Sequence, residues 1–441
     1  MNRFINKGLL GAAAGIAMVS GAQAADMPVK AKAVEYVKIC SAYGAGFYYI
    51  PGTDICLRVG GYVFLETGVK GRNAAVDVLY TTTSSLQFDS DDNYMQWRAR
   101  GHVILDARQN TAYGTLRAYF VGGVSYATTA STLGVQAPAG TNTGASMDRA
   151  FIEFAGFTAG FTESFFSFGG AYSIVASGSL SWDWLPLIAY TAQLGNGVTA
   201  TVSIQDGGAM RSTISGGGNP GYGGTGAPDI VGNVRVTQAW GSAQIMGALH
   251  ELKTGTTAPL GAVPVDSKWG YAVGAGVEVK TPQTGNPNNS VLLQGVYSKG
   301  AVEYTGLASS PVTTAGGFGF RTGATGAFTV VADGEIAPTG LEKTTAWSAY
   351  AAYRHYWTPA LRTGFAVGTT SLEYGFDEAL IFDDARLWQG FISTVWSPVA
   401  GLDLSLDLVY SNIKVTGDCI IADRCGREDI WTAWTRIRRN F

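Results

Sequence analysis

The sequence predicts an all-β chain closed into a sixteen-stranded antiparallel transmembrane β-barrel. Three observations predict this class. The chain opens like an exported protein, its apolar residues alternate with a period of two, and long and short links alternate between the resulting strands.

The export signal comes first. Arg3 and Lys7 give a positive start, Leu9 to Val19 is a short apolar stretch, and Ala22-Gln23-Ala24 forms an A-x-A cleavage site. Residues 1–24 are therefore expected to be a signal peptide, with the mature chain starting at Ala25. A buried or membrane helix is the competing reading, but the stretch is too short and too close to the terminus. Losing the leader's two basic residues takes the net charge from −3 to −5, which argues against a nucleic-acid partner. No later segment offers the roughly 18 uncharged apolar residues of a membrane helix. Charged residues make up only 14% of the chain and glycines number 60, a composition that suits many strands joined by glycine-rich loops better than a soluble enzyme.

Four cysteines, Cys40, Cys56, Cys419 and Cys425, lie in a chain expected to enter an oxidising compartment. Their spacing suggests two local bridges, Cys40–Cys56 and Cys419–Cys425, although four cysteines allow three pairings. A zinc site would use other patterns: no Cys-x-x-Cys pair exists, and His102, His250 and His355 are scattered. No metal or other cofactor is expected.

Alternation then marks the strands in order. From Met95, the residues Met95, Trp97, Ala99, Gly101, Val103, Leu105 and Ala107 share one face. Gln96, Arg98, Arg100, His102, Asp106 and Arg108 share the other, with Ile104 as the exception. Leu187 to Gln205 repeats the pattern on both sides of Asn196-Gly197, a hairpin turn dipeptide. Leu402 to Tyr410 reads Leu, Asp, Leu, Ser, Leu, Asp, Leu, Val, Tyr. The expected strands lie near 57–66, 91–108, 113–121, 148–155, 157–166, 186–194, 198–205, 230–237, 242–251, 268–280, 290–299, 344–356, 361–369, 385–396, 402–411 and 428–441. Long links (the third spanning 167–185, the sixth 300–343) alternate with short ones such as 109–112, 195–197 and 397–401. A barrel with short periplasmic turns, long outer loops and an even strand number has this layout. Residues 57–441 are thus read as the barrel domain and 25–56 as an N-terminal periplasmic segment.

Apolar faces toward lipid leave the opposite faces to line a lumen. Arg98 and Arg100 on the second strand, Arg117 on the third and Arg436 on the last are expected near mid-height, with Arg58 lower on the first. Closure makes these strands neighbours, so the arginines are expected to form one basic wall, whose field would order ions and dipolar solutes at a constriction. Solvated or paired arginines without selectivity are the bland alternative. The third long link carries a single acidic residue, Asp183, as a candidate partner for that wall. The last strand ends at Phe441, on the same face as Trp431, Ala433, Thr435 and Ile437, as an aromatic girdle would place it.

Several stretches resemble a known family. Cys40-Ser-Ala-Tyr-Gly-Ala-Gly-Phe-Tyr-Tyr-Ile-Pro-Gly-Thr-Asp-Ile-Cys56, followed by Leu-Arg-Val-Gly-Gly-Tyr, resembles the opening of the alphaproteobacterial general porins of the rhizobial and brucella type. Phe154-Ala-Gly-Phe-Thr-Ala-Gly160 with Ser164-Phe-Phe166, Trp396-Ser-Pro-Val-Ala-Gly-Leu-Asp403 and the ending Arg439-Asn-Phe441 are similar as well. The resemblance implies a sixteen-stranded outer-membrane barrel with an inward-folded third loop, a homotrimer in outer-membrane lipid, and passive diffusion of small hydrophilic solutes. It also implies the Cys40–Cys56 bridge, and a role for Phe441 as the terminal assembly signal. The family's third loop often carries more acidic residues than this one.

Other functions need features that the sequence lacks. A barrel enzyme requires a nucleophile and base held by a third group, and none of the three histidines sits in a local serine–histidine signature. A soluble β-protein or adhesin would not present outward apolar faces. A substrate-specific channel shares the fold and is the nearest rival.

Overall fold

The computed structural model describes residues 38–70, 95–128, 141–170, 172–174, 179–212, 214–216, 222–254, 266–307, 320–322, 327–329, 331–337, 340–375, 384–416 and 426–441. The leader, Cys419 and Cys425 fall outside the described residues. Numbering the barrel strands alone, β1 is Cys56–Lys70, β2 Met95–Thr111, β3 Gly114–Thr128, β4 Thr141–Phe154, β5 Phe157–Glu163, β6 Trp184–Gly195, β7 Val198–Gln205 and β8 Asp229–Gln238. The second half comprises β9 Gly241–Leu252, β10 Lys268–Lys280, β11 Ser290–Lys299, β12 Thr345–Thr358, β13 Leu361–Glu373, β14 Asp384–Val399, β15 Leu402–Thr416 and β16 Gly426–Asn440. Each strand pairs antiparallel with the next, and β16 returns to β1 in a register running from Tyr62↔Asn440 to Lys70↔Thr432. The sheet is therefore a closed sixteen-stranded antiparallel barrel, in which strand backbone groups find partners without water, as lipid requires.

The faces follow the alternation. Val59, Val63 and Leu65 on β1, Trp97 and Val103 on β2, and Ile188, Val202, Ile245, Leu293, Ile392 and Ile437 farther round are all exposed apolar side chains. Glu66, His102, Asp106, Gln244, His250, Gln294 and Asp407 are buried polar ones on the opposite face. This inverts the soluble pattern and fits a barrel with lipid outside and a polar interior. His355 shares its side of β12 with Trp357 and packs against that ring at 4.3 Å.

Several strands run farther toward the long links than the alternation suggests: β1 to Lys70, β3 to Thr128, β13 to Glu373 and β15 to Thr416. Beyond the membrane both faces are wet, so the apolar contrast fades while the ladder continues. Strand β5 does the reverse and stops at Glu163. There the Ser164 N–H donates to the Asp183 carbonyl at 2.8 Å and the chain leaves the wall. At the expected hairpin, Asn196 and Gly197 adopt φ of 52° and 75°, the positive pair of a type I′ turn.

Both barrel ends lie at the short-link side. Phe441 exchanges backbone hydrogen bonds with Gly61 at 2.9 and 3.0 Å, and its ring lies so close that a Cβ at Gly61 would sit 2.6 Å from it. Cys40 is bridged to Cys56, with 5.9 Å between their Cα atoms. The hairpin they close buries Phe47 beneath the Arg58 and Arg108 guanidinium groups, 5.2 and 5.1 Å from its ring centre.

Candidate functional site

Register sorts the inward arginines of β16, β1, β2 and β3 into two layers. Glu66 of β1 stands opposite Arg98 of β2 and Arg436 of β16. Its carboxylate is buried and pairs with both, through a salt bridge from Arg98 and a 2.7 Å bond from Arg436 Nε. Phe64 sits two residues lower on the same face, with Arg436, Arg98 and Arg100 at 4.6, 5.5 and 5.7 Å from its ring centre. Tyr62 stacks on Phe64 and carries Arg438 at 4.0 Å. The aromatic faces hold the guanidinium planes in place by cation–π attraction. Asp148 lies beside this layer, 3.6 Å from Arg100 and 2.8 Å from the Tyr62 hydroxyl that donates to it.

The lower layer centres on Asp106. Its fully buried carboxylate accepts from Arg108 at 2.9 and 2.8 Å and from Arg117 at 3.0 and 3.2 Å, with Arg58 at 3.5 Å. Arg117 also donates to Glu153 at 2.9 Å. Three arginines against Asp106 and Glu153 leave this layer net positive, as do Arg98, Arg100, Arg436 and Arg438 against Glu66 and Asp148 above.

The link between β5 and β6 runs along the inward face of the far strands. Gln244 of β9 donates to the Ser167 carbonyl at 3.1 Å, and Gln294 of β11 accepts from the Ser181 N–H at 2.8 Å. Tyr172 donates to Glu278 of β10 at 3.0 Å and lies under the Arg354 guanidinium of β12 at 4.2 Å. Burial pushes the Tyr172 hydroxyl up to about 12, so it stays a donor. Thr370 of β13 donates to Ser179 at 2.6 Å. At the tip, the buried Asp407 of β15 takes the Ser173 hydroxyl and the Ile174 N–H, the latter at 2.7 Å. Arg436 Nη2 donates to the Ile174 carbonyl at 2.9 Å. One arginine thus binds both the wall carboxylate Glu66 and the link.

Arg98, Arg100 and Arg436 come together as the sequence suggests, and Arg58 lies lower. Arg117 is a correction. It faces Arg108 and the Asp106 cluster, not the mid-height layer, because β3 extends to Thr128 and its midpoint moves away from Arg117. Asp183 is another. Its N–H donates to Ser167 Oγ at 3.0 Å at the base of the link, and no cation lies within salt-bridge distance of it among the described residues. Burial, and then the Glu163 carboxylate, push its carboxyl up to about 7. The acidic partners of the arginines are Glu66, Asp106, Asp148 and Glu153, on the wall itself. Glu66 shares the period of Arg58, Tyr62 and Phe64 and was findable on that ground. Asp407 had no comparable signal beyond its inward parity. Among the described residues, no group of three or more His, Cys, Asp or Glu side chains is arranged to hold a metal ion.

Comparison with known proteins adds the following. The model of a family described as "Porin subfamily" matches residues 26–432. Porin Omp2b of Brucella melitensis biotype 1 is 35% identical over 310 residues, covering 66% of this chain and 74% of its own. Omp2b of Brucella abortus is 34% identical over the same coverage. Among solved structures, the outer membrane channel DcaP of Acinetobacter baumannii superimposes with a TM-score of 0.62 at 14% identity, covering 89% of this chain and 99% of its own. At that identity the likeness speaks to the fold alone.

Proposed function

The chain belongs to the porin family, and from that premise we propose that it passes small hydrophilic solutes by passive diffusion and sorts them at the upper arginine layer. It is an outer-membrane β-barrel and forms a channel. Arg98, Arg100 and Arg436 are the sorting residues in this reading. Arg58 and Arg117 charge the vestibule below, and the link bearing Tyr172 to Ile174 narrows the opening. The carrying observation is that Arg436 contacts both Glu66 and the Ile174 carbonyl, which puts the basic layer and the link at one level of the lumen. Asp183 is then a residue of the link's base, held largely protonated below about pH 7.

Planar-bilayer recording is expected to give stepwise conductance with weak selectivity, and Arg98→Ala should move the reversal potential toward cations in a salt gradient. An unchanged potential removes Arg98 from the constriction, and no steps from folded, heat-modifiable protein would sink the channel reading. Saturable block by one solute class would assign a substrate-specific channel instead.

We also propose that three copies assemble, that residues 1–24 are cleaved, that residues 25–56 stay on the periplasmic side, and that Phe441 serves as the assembly signal. Outward small residues support close approach of neighbours: Ala99 and Gly101 lie among Val63, Val103 and Val124 on β1 to β3. Native mass spectrometry in detergent is expected to find three chains, each starting at Ala25. A monomer, or a retained leader, would contradict the corresponding part.

A further inference from the structure

Away from the arginine wall, a second polar cluster joins the barrel to two of its long links. His250 lies near the end of the inward face of β9, one inward position before Leu252, and Asp229 begins β8 beside it. His250 Nδ1 lies 2.8 and 2.9 Å from the two Asp229 oxygens, and Nε2 lies 3.0 Å from the Tyr222 hydroxyl of the link between β7 and β8. Tyr222 in turn meets Asp333 Oδ2 at 2.8 Å, in the link between β11 and β12. Asp333 also accepts the Ser212 and Val302 N–H groups at 2.8 and 2.7 Å, and Tyr304 donates to Asp229 at 2.6 Å. His250, Asp229, Asp333 and Tyr304 are essentially inaccessible to solvent.

The hydrogen-bond partners favour one state of the imidazole. Asp333 is served by two backbone N–H donors, and the single Tyr222 proton completes its shell. With the Tyr222 proton on Asp333, the Tyr222 oxygen is placed to accept one from Nε2. Nδ1 faces the Asp229 carboxylate. Both ring nitrogens then face acceptors, the arrangement that an imidazolium satisfies. The carboxylates around it fit this state, and the Arg211 cation opposes it. Asp229 comes from β8, Asp333 and Tyr304 from the link after β11, and Tyr222 from the link after β7, with Arg211 at 4.3 Å over the Tyr222 ring. Glu303 lies one step out, reached through Ser212. Strand β10 contributes Gly270, an uncharged residue, at the His250 register. Burial drives the Asp333 carboxyl above its ordinary range and His250 opposes that rise, as expected of a buried carboxylate leaning on a cation.

We propose that His250 is a proton-operated anchor: as an imidazolium it ties the Tyr222 and Asp333 segments to the barrel rim, and losing that proton releases them. The neutral ring has one donor for two acceptors. It also leaves Asp229 and Asp333 buried with Arg211 as the remaining nearby cation, an arrangement that favours separation of the segments. Because the change is electrostatic and enclosed, salt should affect it little. The consequence is a channel whose outer mouth is held at neutral pH and loosened in alkali.

Two measurements test this, and the first does not depend on the channel reading. In histidine-labelled protein, the 15N spectrum of His250 is expected to show both ring nitrogens protonated at pH 7. A neutral tautomer there would overturn the proposal. In bilayer recordings, open-channel current noise is expected to stay level near neutral pH and to rise at least threefold once His250 deprotonates. His250→Gln should show the high noise at every pH. Tyr222→Phe, a change in a link that leaves the strands intact, should raise noise at pH 7 about as much. The same pH profile in wild type and His250→Gln, or silent Tyr222→Phe channels, would overturn it.

Discussion

Replacing Glu66 with glutamine is expected to swing the permeability ratio of the open channel severalfold toward anions. Glu66 is a buried carboxylate between Arg98 and Arg436. Glutamine keeps the size and can still accept a hydrogen bond, so the wall stays packed while its upper layer loses its central negative charge. Removing one partner of a buried pair leaves the other uncompensated, and here two cations facing the lumen are left so. The effect should be largest in dilute salt, because the screening length falls from about 30 Å at 0.01 M to about 10 Å at 0.1 M. Reversal potentials in matched gradients at both ionic strengths measure it. A ratio that does not move at 0.01 M would place the narrowest part of the pore away from Glu66. Heat-modifiable electrophoresis shows whether the variant barrel is folded, which separates lost selectivity from lost protein.

Removing the Asp407 carboxylate is expected to change conductance rather than charge preference. That carboxylate holds the Ser173 hydroxyl and the Ile174 N–H inside the barrel. In Asp407→Ala both donors lose their acceptor, and an orphaned buried donor costs about 1–3 kcal/mol. The Arg436 bond to the Ile174 carbonyl then holds the tip without the acceptor that now steadies it. Single-channel conductance should rise and open-channel noise should increase. Asp407→Asn should fall between, since its amide oxygen still accepts. If the alanine variant conducts like wild type with the same noise, the link does not set the opening.

How much of this was legible beforehand depends on how far apart in the chain the partners lie. Arg58, Arg98, Arg100 and Arg436 were assignable to the inward face because side-chain direction alternates along a single strand. Arg117 was assigned the right face and the wrong layer. Its height depends on where β3 ends, and the alternation weakens beyond the membrane before the strand does. Asp183 is the single acid that the third link offers, whereas Glu66 meets Arg436 across a sequence separation of 370 residues. The anchor at His250 draws on β8, β9 and two separate links.

The sequence by itself determined what is local: the strand count, which residues face in or out, the hairpin at Asn196-Gly197, and the alternation of short and long links. Each follows from the two-residue period of an extended chain or from a turn's own φ preferences. The tertiary structure alone decided which arginine meets which carboxylate, that the acidic counterpart of the basic wall lies within the wall, and where the third link is fastened. Those contacts depend on the register between strands far apart in sequence and on the path of the links across the lumen, and neither is encoded in any single segment.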